Sequence, residues 1–271
     1  MGRESRHLAA AAACLIAGGC DRVWGLSRAD AAPIDAAPCT SGTFEARVPL
    51  DEAPAGALDP QLRGDLLELF FTSDSMGYDL WHMTRASVAE PFGNLEAMRT
   101  VNTGNNETDP TITADGLDLL FKSDYPIGSG PFYVWEATRP TVNDVFGAPH
   151  RAMGLEALPM NGIDIAPDGL TIYLDDGARL ASRSRASRDA GFGMSTDLGS
   201  QASFPSIGAD ETEIFFNAGG VSRRIRAALG NPFGVQDSID VMGTDPDLAA
   251  DGRTLIFELG NGLATRTRSC P

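Results

Sequence analysis

DPTITADGLDLLFKS, Asp109 to Ser123, followed by VWEATR, Val134 to Arg139, decides the fold. Asp109-Pro110-Thr111-Ile112 is a short extended run. Asp115-Gly116 is a strong hairpin signal, because glycine tolerates positive φ. Leu119-Leu120-Phe121 is an apolar second strand, and Val134 to Arg139 alternates as a third. Phe146 and Gly147 mark the start of a fourth. The same order of signals recurs along the chain. Arg85, Arg139, Arg185 and Arg226 each close a third strand and are followed seven residues later by Phe92, Phe146, Phe192 and Phe233. Arg268 closes a fifth copy near the C-terminus, and the phenylalanine it lacks stands at the other end, as Phe44. A repeat whose last copy is split between the termini describes a closed ring.

Four strands per copy and five copies predict an all-β fold, a five-bladed β-propeller. Residues Thr43 to Leu50 should supply the outer strand of the last blade and so remove two free sheet edges. Asp59-Pro60-Gln61-Leu62 and Asp245-Pro246-Asp247-Leu248 open copies one and five. Ile163-Asp164-Ile165 and Phe204-Pro205-Ser206-Ile207 are degenerate versions. Asp168-Gly169 and Asp251-Gly252 repeat the hairpin signal, and Asp65-Leu66 and Asp210-Glu211 stand weakly at the same register. A residue present in every blade builds the blade. The repeated arginines therefore belong with a carboxylate or a carbonyl, and the phenylalanines fill the gaps between blades.

The net charge of −16 argues against nucleic acid, and against docking of the domain itself on an anionic membrane. The N-terminus adds an anchor. Residues 1–19 read as a lipoprotein signal peptide: Arg3 and Arg6, a short apolar run from Leu8 to Ile16, then Ala17-Gly18-Gly19 before Cys20. The spacing resembles a lipobox, with Cys20 lipidated and the membrane touched only through that lipid. The alternative is a plain cleaved secretory signal. Residues 20–42 read as the lipidated cysteine and a flexible tether, and residues 43–271 as the propeller. The expected place is the cell envelope of a bacterium, with inner and outer membrane undecided. Cys39 and Cys270 flank the array. In a closed ring the ends meet, so a Cys39–Cys270 disulfide is expected in an oxidising compartment, against the alternative of two free thiols. Its loop is worth roughly 4–5 kcal/mol in the chain-entropy model.

Asp-Pro-x-Ile-x-x-Asp-Gly, the apolar-Phe-x-Ser steps at Phe71-Thr72-Ser73 and Phe121-Lys122-Ser123, and Leu-Trp-x-x-Thr-Arg together resemble the WD-like propeller repeats of the TolB type, over about residues 44–268. The resemblance implies a propeller. TolB itself has six blades and an additional N-terminal α/β domain, neither legible here. Its role as a periplasmic interaction partner in an envelope-spanning complex finds no residue-by-residue match.

Function should sit where the five-fold pattern breaks. One break is the inner-strand position occupied by Gln61, Thr111, Asp164, Ser206 and Asp247, all polar and placed to face the axis. The two carboxylates, Asp164 and Asp247, fit acid–base cleavage of a glycosidic bond if they converge. Acidic channel residues are more commonly just solvated or bind a cation. A second break is Trp81 and Trp135, at equivalent sites in adjacent blades where the other copies hold Ala181, Ser222 and Ala264. They suit either an apolar or sugar-stacking face or ordinary packing. A third is the pair of long polar segments Asn94 to Thr108 and Asp124 to Pro131, read as recognition loops. His82 and His150 have no Cys or His at metal-ligand spacing, and no nucleophile elbow, phosphate loop or calcium hand is present. No cofactor and no metal are expected. The reading is a binding scaffold for an unidentified envelope protein or polymer, with a glycan-active hydrolase using Asp164 and Asp247 as the alternative.

Overall fold

The computed structural model describes Cys39 and residues 42–270, apart from 76, 130, 156–160, 178, 200 and 201. The expectations for the signal segment, Cys20 and most of the tether lie outside the described residues.

Strand β1 is Val48–Pro49. Blade 1 follows with β2 (Ala57–Leu62), β3 (Glu68–Ser73), β4 (Asp79–Thr84) and β5 (Gly93–Ala97). Blade 2 has β6 (Glu107–Ile112), β7 (Asp118–Ser123), β8 (Tyr133–Thr138) and β9 (His150–Arg151). Blade 3 has β10 (Ile163–Ile165), β11 (Thr171–Asp175), β12 (Leu180–Ser184) and β13 (Thr196–Asp197). Blade 4 has β14 (Ser203–Ile207), β15 (Glu213–Asn217), β16 (Val221–Ile225) and β17 (Asp237–Asp240). Blade 5 has β18 (Thr244–Leu248), β19 (Thr254–Leu259) and β20 (Gly262–Thr267). Each blade is a four-stranded antiparallel sheet, and the fifth is completed by β1 against β20. Val48 pairs with Thr265 and Pro49 with Ala264, and Phe44 bridges to Arg268. The Cys39–Cys270 disulfide ties the same seam at a Cα separation of 5.7 Å.

Second strands carry the core because they are sandwiched between neighbouring blades. Leu69, Phe70 and Phe71, and Ile214, Phe215 and Phe216, are fully buried. Buried apolar residues form five clusters, one per junction. The cluster joining Leu69 and Phe71 to Ile256 and Leu263 packs blade 1 against blade 5 and closes the ring. Each large side chain so buried contributes roughly 1.5–3 kcal/mol.

The repeated arginine is a three-point staple. Its Nε donates to the hairpin-turn carbonyl of its own blade: Leu66, Gly116, Gly169, Glu211 and Gly252, at 2.6–2.8 Å. Its guanidinium covers the partner ring, with Arg85 4.3 Å from the Phe92 centroid and Arg268 5.0 Å from that of Phe44. In four blades the fork then reaches the preceding blade. Arg139 meets Glu68, Arg185 meets Glu136, Arg226 meets the Tyr173 hydroxyl and Arg268 meets Glu213.

One sequence expectation needs correction. Asn94 to Thr108 is not a single long loop, since Asn94 to Ala97 complete β5 and Glu107 and Thr108 open β6. The alternating β4 offers a pairing edge that residues 94–97 take up, with Trp81 opposite Ala97 and His82 opposite Glu96.

Candidate functional site

The structure brings Gln61, Thr111, Asp164, Ser206 and Asp247 together on the axis, where they form a hydrogen-bonded belt. Ile165 N–H donates to Thr111 Oγ1, Ile207 N–H to Asp164, Leu248 N–H to Ser206 Oγ and Leu62 N–H to Asp247, at 2.6–2.9 Å. The Thr111 and Ser206 hydroxyls in turn donate hydrogen bonds to Asp164 and Asp247, and Gln61 Nε2 donates to Asp247 at 3.0 Å. All four carboxylate oxygens of the two aspartates are therefore engaged between blades. Burial raises Asp164 to about 7 despite its three hydrogen bonds. Burial, then the charge of Asp164, raises Asp247 well above the ordinary range. The space between them is about 30 Å³, enough for one or two waters and far below the size of a ligand pocket.

The opposite mouth is also narrow, about 30 Å³, and lined by Asp59, Asp109 and Asp245. Burial and the Asp109 charge raise Asp59 to about 7, and burial and the Asp59 charge raise Asp245 to about 9. Lys122 pairs with Asp109 at 2.8 Å. Among the described residues no group of three or more His, Cys, Asp or Glu side chains is arranged to hold a metal ion.

Trp81 and Trp135 belong to different packing layers. Trp81 lies against the blade 1–blade 5 cluster, and Trp135 against the blade 1–blade 2 cluster. Tyr125 meets the Trp135 ring edge-on at 5.4 Å, and Arg151 lies 5.5 Å from its centroid.

A larger space opens where blades 1 and 2 diverge. It measures about 830 Å³, and Trp81, His82, Glu96 and the β8–β9 loop around Asn143 help to line it. At its floor Glu68, with 2% of its side chain exposed, bonds to His82 Nδ1 at 2.8 Å, Arg63 at 2.7 Å and Arg139 at 2.7 Å. Burial works to raise the Glu68 carboxyl, but the bonds from His82 and Arg139 and the charges of Arg139 and Arg63 overcome it and hold it down at about 2. An ionised carboxylate only accepts, so His82 Nδ1 carries the proton in that bond. Nε2 has no hydrogen-bond partner among the described residues and lies on the 25%-exposed side chain that lines the space.

Blade 4 fills the same slot differently. There the His82 position holds Arg223, which bonds Glu213 at 3.1 Å and Asp237 of the outer strand at 3.1 Å. The shorter imidazole reaches Glu68 and stops, and the outer-strand Glu96 opposite it is left unbridged. Sequence reasoning missed this cleft. The available signal was the series His82, Glu136, Ser182, Arg223 and Thr265 at one slot, read beside Glu68, Asp118, Thr171, Glu213 and Thr254 at another. The two slots are diagonal neighbours on adjacent strands.

No protein family and no curated protein matches this chain by sequence. Solved structures do match. TolB from Acinetobacter baumannii aligns at 14% identity and a TM-score of 0.50, over 79% of this chain and 55% of that one. The chain has the β-propeller fold found in TolB. This propeller therefore spans about half the length of the TolB chain it matches. It is also similar to a gluconolactonase from Xanthomonas campestris, at 11% identity and a TM-score of 0.53, over 86% of this chain and 97% of that one. A luciferin-regenerating enzyme aligns at 12% identity and a TM-score of 0.50, over 83% and 95%. At these identities the likeness is one of fold, which is shared by proteins of different activity.

Proposed function

We propose that this propeller is a binding scaffold held in a bacterial cell envelope through a lipid on Cys20, and that it engages an envelope protein or polymer through the blade 1–blade 2 cleft. The cleft carries the reading. At about 830 Å³ it is larger than the open space of about 390 Å³ beside Asp59 and Lys122, and the slot that blade 4 fills with an ionic Arg223 holds the shorter His82 here. The inner-strand polar residues support it from the other side, since their hydrogen bonds go to neighbouring blades. The basic, apolar and small-residue order of residues 1–20 supports export and acylation.

Two measurements test this. Intact-mass spectrometry of the membrane-extracted protein should show a chain that begins at Cys20 and carries acyl groups. A mass equal to an unacylated mature chain would remove the anchor. A photo-crosslinking residue placed at Val145, which is 76% exposed on the cleft rim, should capture a discrete envelope species. The same probe at Val235, which is 88% exposed and does not line the cleft, should capture none. Equal capture at both positions would remove the cleft from the reading.

A further inference from the structure

The groups left free in the cleft identify the chemistry of its occupant. Arg63 and Arg139 are engaged with Asp65 and Glu68. Of the remaining charged lining residues, Arg85 and Arg99 are cationic and Glu96 and Asp144 anionic, so two positive charges stand against two negative and the balance is zero. In a chain of net charge −16 that balance is local.

Arg85 is the repeated arginine whose fork makes no ion pair with the preceding blade among the described residues, although the charges of Glu52 and Asp65 act on it. Blade 5 presents Thr254 and Thr265 where blade 1 presents Glu68 and His82 to Arg139. Its terminal nitrogens have no hydrogen-bond partner among the described residues, and unlike the other four it is not fully buried. Arg99, Glu96 and Asn143 are exposed on the same lining. Leu95 and Val145 add apolar rim, 44% and 76% exposed.

We infer that the cleft binds a neutral, hydroxyl-rich glycan chain, an inference that rests on the binding reading above and narrows its occupant. A hydroxyl both donates and accepts. It can take a bond from Arg85 or Arg99, give one to Glu96 or Asp144, and do either with Asn143 or His82 Nε2. An anionic ligand would meet the carboxylates of Glu96 and Asp144, and a cationic one the guanidinium groups of Arg85 and Arg99. The apolar face of a sugar ring matches the Leu95–Val145 rim.

The test is a titration of the folded protein with two neutral probes, the β-1,4-linked N-acetylglucosamine hexamer and maltohexaose, followed by NMR of the Asn143 side-chain amide and the His82 ring. At least one probe should give saturable shifts at both residues with a Kd of about 1 mM or tighter. Glu96→Gln with Arg99→Ala changes exposed groups only and should keep the fold while weakening binding about tenfold or more. Asn143→Ala should weaken it further, with Trp135→Phe as a control that binds like wild type. No shift with either sugar at ten times that concentration overturns the inference. So does tighter binding of a hexaglutamate or hexalysine peptide at the same residues. If Val145 crosslinks an envelope protein while both sugars stay silent, the scaffold reading stands and the glycan assignment falls.

Discussion

Arg185 and Arg85 hold the same station in blades 3 and 1, yet their truncation should differ. Arg185 is buried against Glu136 at 2.8 and 3.1 Å, so Arg185→Ala strands a buried carboxylate and should cost about 3–5 kcal/mol. Arg85 has its turn carbonyl, the Phe92 ring and the more distant charges of Glu52 and Asp65, and Arg85→Ala should cost under about 2 kcal/mol. Urea midpoints at constant m compare them, and equal losses would show that the acid contributes nothing to the staple. The arginines and phenylalanines were legible in the sequence because they keep one spacing. Their acidic partners were not, because the partner changes slot: Glu68 and Glu213 open second strands, Glu136 sits on a third strand, and Tyr173 lies mid-strand.

At the scale of the element, the opening strand of each blade hides more than its Asp-Pro signature. Asp59, Asp109, Phe204 and Asp245 take φ of 47–52°, and the register slips between Leu58 and Gln61 and at the matching places in blades 2, 4 and 5. These are bulges that turn the inner polar residue toward the axis. A residue before proline is ordinarily extended, so sequence rules give the strand but miss its kink. Blade 3 has Gly162 at that slot, and a Cβ there would lie 2.5 Å from Phe204 Cα and 2.7 Å from its N. Neither atom can yield without moving the bulge of blade 4. Gly162→Ala should therefore cost about 1–3 kcal/mol, whereas Gly93→Ala, with nothing within 4 Å, should be close to neutral in the same thermal melts. The turns follow a similar logic. Leu66 and Glu211 adopt φ of 65° and 57° where three blades use glycine, which explains why Asp65-Leu66 and Asp210-Glu211 were weak signals at the correct register.

Across the whole molecule, the axis sets the pH response and the seam sets the stability of the ring. Asp59 and Asp164, raised to about 7, and Asp245, raised to about 9, keep protons in the folded state that the unfolded chain releases near its ordinary 3.8. The native state then binds more protons above that value, so stability should fall as pH rises from about 4 through 7. Glu68, held at about 2, acts oppositely: its contribution is present above 4.5 and fades as pH falls toward 2. Thermal midpoints should be higher at pH 5 than at pH 8, and Asp164→Asn should flatten the slope. A midpoint that climbs toward pH 8 would mean that the axial carboxyls are ionised in the fold. Closure was the part of the architecture most legible in the sequence, because a displaced Phe44 and two flanking cysteines have one economical explanation. The seam rests on the β1–β20 pairing, the Glu45 N–H bond to Thr267 O at 2.8 Å and the disulfide across 231 residues. Its covalent part acts chiefly on the unfolded chain, whose freedom it restricts by about 5 kcal/mol. Cys39→Ser with Cys270→Ser should lower the urea midpoint by a corresponding amount. The same change should raise m, because the released denatured chain exposes more surface. Strand contacts alone would leave m unchanged, so a double variant with the wild-type midpoint and slope would assign the closure to β1 and Phe44 instead.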